Sequence, residues 1–128
     1  MTKKVVLIGL EPTKIDCSDP AYAPFAHLDA EKVQAGLDQD VAKLSALGYE
    51  AELCLTDSDP ASAAVIVTDS IKRNRYDCVL IGAGVRSIPK NFLLFEMLIN
   101  AVHEHASEAS ICFNSRPDDS AEAIQRWI

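Results

Sequence analysis

Four short apolar runs, each followed by a stretch with helical periodicity, constrain this chain more than any other feature. The runs are KVVLIGL at 4–10, YEAELCL at 49–55, CVLIG at 78–82 and ASICF at 109–113. The first and third are unbroken and rich in Val, Ile and Leu, the pattern of strands covered on both faces. In the second, Tyr49, Ala51, Leu53 and Leu55 alternate with Glu50 and Glu52. One wet face predicts an edge strand.

The intervening segments read as helices. From about Asp29 to Leu47, Val33, Leu37, Val41 and Leu44 recur on one helical face. Asp29 is placed to cap that helix and Gly48 to end it in the left-handed C′ position. Asp59 followed by Pro60 marks the start of the second helix, and Lys72, Arg73 and Arg75 crowd its negative end. The third, 91–106, carries two apolar stripes: Phe92, Phe95, Ile99 and Val102, then Leu94, Leu98 and Ala101. A helix that is apolar on two sides has the sheet to cover one and needs something else for the other, so a homodimer through helix 91–106 is expected. The last helix begins near Asp119, with Glu122 placed for a variant capping box. Ile124, Trp127 and Ile128 are expected to dock on the sheet.

Alternating β and α units require a parallel sheet with helices on both faces. Right-handed crossovers and a half-wet second strand give the order 2-1-3-4. The expectation is therefore one three-layer α/β/α domain over residues 1–128, a shortened flavodoxin-like fold. A chain of 128 residues can bury one such core without staples. Its formal net charge of −7 disfavours nucleic acid and anionic membrane as partners, since both reward a basic face. Val5–Leu10 is too short for a secretion signal, and no apolar stretch is long and clean enough to span a bilayer, so a cytoplasmic protein is expected. Cys54, Cys78 and Cys112 lie inside strand-like runs and make no CxxC pair, which favours core packing over disulfide or zinc. Cys17 alone sits in a polar loop.

In a sheet of this order ligands bind beyond the carboxyl ends of the strands, near the switch between strands one and three. That rule selects the loops 11–28, 56–59, 82–90 and 114–118. The first is long for a strand-to-helix connection and carries Tyr22, Phe25 and His27 among three prolines. It reads either as a lid over a flat ligand or as a loop pinned by its aromatics. The third opens GAGVRS, with Gly82 and Gly84 in G-x-G spacing and Ser87 where a third glycine belongs. Pro89 delays the following helix, and Asn114 lies 32 residues past Gly82, against ~20 expected to the ribose-binding position. Those departures disfavour a dinucleotide site. The Ser- and Thr-rich phosphate loop that flavodoxin carries after strand one is absent too, so FMN is not supported.

A simpler reading remains. Gly82 and Gly84 allow close backbone approach or positive φ, and their N–H groups can face an anion. Arg86, Arg116, Lys90 and Lys14 lie on the same edge, and guanidinium groups recognise carboxylate or phosphate through paired hydrogen bonds. With Asn114 and Tyr22, these residues form the expected site for a small anionic ligand such as a phosphorylated metabolite or nucleotide. The competing possibility is that the arginines pair with local acids such as Asp118 or Asp119. Glu11 and Asp57 can be imagined around Mg²⁺, but Asp57 and Asp59 have turn and capping work to do, so no metal is expected. No serine elbow, HExxH or Walker loop occurs. Any chemistry would fall to Cys17 or His27 as nucleophile or acid–base group. The alternative function is a receiver-like interaction module, non-catalytic because Gly82 stands where a receiver has its phosphorylated aspartate, acting as a homodimer.

Overall fold

A computed structural model describes all residues except 1, 16, 17, 21, 23–28 and 117. The four apolar runs form strands β1 (Lys4–Leu10), β2 (Glu50–Thr56), β3 (Cys78–Ile81) and β4 (Ser110–Phe113). They make one parallel sheet in the order β2-β1-β3-β4. Helices α1 (Ala30–Ala46), α2 (Pro60–Arg73), α4 (Phe92–His105) and α5 (Ser120–Gln125) cover its faces. A single helical turn, α3 (Ala83–Arg86), follows β3 directly, and 3₁₀ turns occupy Pro12–Lys14 and Pro89–Asn91. The expected three-layer, flavodoxin-like order is what the chain adopts.

Alternation along the strands divides the core in two. Val6, Ile8, Val79 and Ile81 pack toward α2 and α4, against Val67, Ile71, Leu94, Leu98 and Val102. Val5, Leu7, Leu80 and Cys112 pack toward α1 and α5, against Leu44 and Ile124. β1 and β3 are buried from both sides, as unbroken apolar runs require. Each large side chain enclosed in this way contributes roughly 1.5–3 kcal/mol. Cys54, Cys78 and Cys112 are buried free thiols, and the Sγ atoms of Cys78 and Cys112 lie 3.5 Å apart between β3 and β4.

Local punctuation works as the sequence specifies at three helix ends. The Asp29 carboxylate accepts the Lys32 N–H at 2.8 Å, and Asp59 accepts the Ser62 N–H at 2.9 Å. Gly48, just past α1, takes φ 96°, a conformation costly for any residue with a Cβ. Three readings need correction. Asp119 precedes α5 without capping it: its carboxylate turns back to accept the Ser115 and Arg116 N–H groups and the Ser115 hydroxyl. Burial opposes its charge, but those hydrogen bonds hold the carboxyl below its ordinary value. Trp127 is 61% exposed; Ile124 is buried and Ile128 packs beside it. On α4 the two apolar stripes do not face different partners: Phe95, Ile99 and Val102 of one and Leu94 and Leu98 of the other all pack into the same core, while Phe92, and Leu93 outside both stripes, stand exposed.

Candidate functional site

At the switch point, where β1 leads outward to one side of the sheet and β3 to the other, the carboxyl ends of the strands border a cavity of about 100 Å³. Leu7–Leu10 and Leu80 line it from the sheet, Gly82–Gly84 from the turn after β3, and Val33, Leu37 and Asp40 from α1. Ile15, Tyr22, Asn114 and Ser120 complete the lining. The walls are apolar except at one end, where a directed hydrogen-bond chain runs. The Ala83 N–H donates to Asn114 Oδ1 at 2.8 Å, and Asn114 Nδ2 donates to Ser120 Oγ at 3.1 Å. Ser120 Oγ donates in turn to Asp40 Oδ2 at 2.9 Å. Ser120 is fully enclosed and Asp40 only 5% exposed. Burial pushes the Asp40 carboxyl up to about 6, against the pull of the Ser120 hydrogen bond and of Lys43; Asp118 and Asp119 add to the rise.

The glycine turn is tighter than its sequence implies. Gly82 has φ −71° and precedes the helical turn α3, and its N–H donates to Ile8 O at 2.9 Å. Neither Gly82 nor Gly84 has positive φ, so left-handed backbone is not the use made of them. A Cβ on Gly82 would touch the Ile8 carbonyl at 3.4 Å, whereas one on Gly84 would meet nothing within 4 Å.

The expected anion-binding side chains do not converge. Arg86 donates to the Asn114 carbonyl at 2.6 Å and lies 5.8 Å from the Phe113 ring centroid. Phe113 meets Phe95 of α4 edge-on, so this guanidinium leans toward the α4 side and is not part of the cavity wall. Its Nε is enclosed without a partner among the described residues, a desolvated N–H of the kind that costs stability unless something accepts it. Arg116 is exposed and donates to Asp118 at 2.6 Å. Lys90 forms an ion pair with Asp19. Lys14 is exposed on its 3₁₀ turn.

Tyr22 is tied down as well as exposed to the cavity. Its hydroxyl accepts from Asn91 Nδ2 at 3.1 Å, and the same nitrogen donates to the Gly84 carbonyl at 3.0 Å. The loop after β1 is thereby fastened to the turn after β3. Cys17 and His27, the two candidates for chemistry, lie outside the described residues. Asp57 accepts from the Asp59 N–H and the Ser62 hydroxyl, a turn role, and Glu11 accepts from the Thr13 hydroxyl. Among the described residues no three acidic, His or Cys side chains are gathered as a metal set.

Asp40 and Ser120 were not among the sequence candidates, and Asp40 had a visible signal. Val33, Leu37, Asp40 and Leu44 fall at spacings of four, three and four, so a carboxylate stands inside the apolar stripe of α1. Reading Val41 into that stripe concealed it; Asp40 is buried and Val41 half-buried. Ser120 has no such signal, because its partners come from distant elements. No family model matches the chain and no curated protein does, so the chemistry of this site rests on its own residues.

Proposed function

We propose that this domain binds a small ligand at the carboxyl edge of its sheet, with the ligand's inner end in the switch-point cavity. The observation that carries the reading is the cavity itself, built where parallel α/β sheets hold ligands. Its volume of about 100 Å³ is below the ~150 Å³ that encloses benzene. A phosphorylated metabolite or nucleotide would place only a fragment inside and carry its anionic group outward across the 82–90 turn. There Arg86, on the α4 side of the turn, would be the cation available to it.

A thermal-shift series with inorganic phosphate, ATP, NADPH, FMN and Mg²⁺ on wild type and Gly84→Leu tests this. A Cβ at Gly84 meets nothing within 4 Å, and Gly84 lines the cavity that the rest of the leucine would enter. The expected result is that one compound raises the wild-type melting temperature and that Gly84→Leu weakens that compound's binding at least about tenfold. A wild type indifferent to every compound, or a shift that survives Gly84→Leu unchanged, overturns the cavity reading.

A second reading, a homodimeric interaction module, is favoured by a separate surface. Phe92 and Leu93 are 64% and 56% exposed, and Val65 on neighbouring α2 is 60% exposed. Leu93 also borders a groove with Ala64, Thr68 and Met97. Adjacent exposed apolar residues of this size are a feature of association surfaces. Light scattering at micromolar concentration is expected to give a dimer mass for wild type and a monomer mass for Leu93→Glu. A monomeric wild type would remove this reading.

A further inference from the structure

We infer that the ligand of the switch-point cavity carries an N–H donor on its buried end, an amine or amide group that it presents to Asp40. The inference rests on the small-ligand reading above and narrows it. It comes from the direction of the hydrogen-bond chain. Asn114 is oriented by the Ala83 N–H, which donates to its oxygen and so turns its NH₂ toward Ser120. Ser120 accepts that bond and spends its only proton on Asp40 Oδ2. Every link therefore points the same way, and the chain ends on a carboxylate.

A carboxylate in its ionised form accepts only, and its two oxygens have room for about four hydrogen bonds. Asp40 receives one side-chain bond among the described residues, although it is 5% exposed and borders the cavity. No Lys, Arg or His belongs to the cavity lining among the described residues. The remaining acceptor capacity of a buried carboxylate thus borders a space whose walls include Val33, Leu37, Leu10, Ile15 and glycine. A ligand atom with an N–H satisfies it; a phosphate or carboxylate placed there would meet like charge at close range, with no cation among the described lining residues to offset it. Anionic ligands that fit both ends are those with a donor at the buried terminus and the charge outside.

Backbone amide NMR on the full chain at neutral pH tests this with four probes of similar size. Isobutylamine and isobutyramide donate N–H, whereas isobutyrate and 3-methylbutan-2-one only accept. The amine and the amide are expected to move the amides of Gly9, Gly82 and Gly84, with a Kd at least about tenfold below that of the ketone or the carboxylate. Asp40→Asn is expected to weaken the amine at least about tenfold. Equal binding of the ketone or the carboxylate to wild type overturns the donor inference and leaves the cavity a ligand site. So does an unchanged Kd of the amine for Asp40→Asn. If none of the four probes and none of the thermal-shift compounds perturbs wild type, the small-ligand reading fails and this inference falls with it. The wild-type comparison decides alone should the variant not fold.

Discussion

Between pH 4 and pH 8 the Asp40→Asn protein is expected to gain on wild type by about 2–3 kcal/mol, on the order of 10 °C in melting temperature for a chain of this size. Asp40 has its carboxyl raised from 3.8 to about 6, first by burial and then by Asp118 and Asp119, with Ser120 and Lys43 working against the rise. Between those two values the folded chain holds the proton that the unfolded chain has released. Wild-type stability therefore falls as pH rises through this window and stays at its lower level above about 6. Asparagine does not titrate and still offers Ser120 an acceptor, so the variant lacks that loss. Urea denaturation at pH 4, 6 and 8 checks it. The advantage of Asp40→Asn should be smallest at pH 4 and reach its full size by pH 8; an advantage independent of pH would refute the assignment of a raised carboxyl. A site that keeps a charge at such a cost in stability fits the stability–activity trade-off expected at binding sites.

Asn114→Ala is expected to act in the other direction, with a loss of about 2–4 kcal/mol. Asn114 is 7% exposed and holds two elements together. Its side chain accepts from Ala83 at the start of α3 and donates to Ser120 at the start of α5. Truncation leaves the Ala83 N–H enclosed without that acceptor, deprives Ser120 of a donor, and opens space at the end of the cavity. The bond from the Arg86 guanidinium to the Asn114 carbonyl survives, because it uses the backbone of Asn114 and not its side chain. Urea denaturation should show the loss, and hydrogen exchange of the Ala83 amide should accelerate with it. A loss below about 0.5 kcal/mol, the range of ordinary surface substitutions, would mean that Asn114 is not the joint described above.

The two variants separate what the network does. Asn114 connects the ends of β3 and β4, so its removal is felt by the fold. Asp40 terminates the chain of donors beside the cavity, and its removal relieves the fold while taking away the acceptor that a ligand would use. Both effects come from the same four groups, because each donor in a buried network can satisfy only the acceptor it faces.

How far each feature was legible depended on whether its cause was local. The strands and helices followed from periodicities of two and 3.6 residues and from single capping residues such as Asp29, Asp59 and Gly48. Strand order followed from handedness and from the wet face of β2. These are properties of a few consecutive side chains meeting water or a neighbour one turn away. The failures were of the same kind reversed: Asp119 had the spacing of a capping residue, but Ser115 and Arg116 offered its carboxylate closer donors. Arg86 and Arg116 share an edge in sequence terms, yet Asn114 and Phe113 claim one and Asp118 the other. Which polar groups meet depends on how crossovers seat the helices. The bond from Ser120 to Asp40 spans 80 positions and that from Ala83 to Asn114 spans 31. The sequence alone determined the layers, the strand order and which loops share the carboxyl edge of the sheet, because burial patterns are written in every strand. Only the tertiary structure decided that the edge holds an apolar cavity ending on one buried carboxylate, since a hydrogen bond between distant residues leaves no periodic trace in the chain.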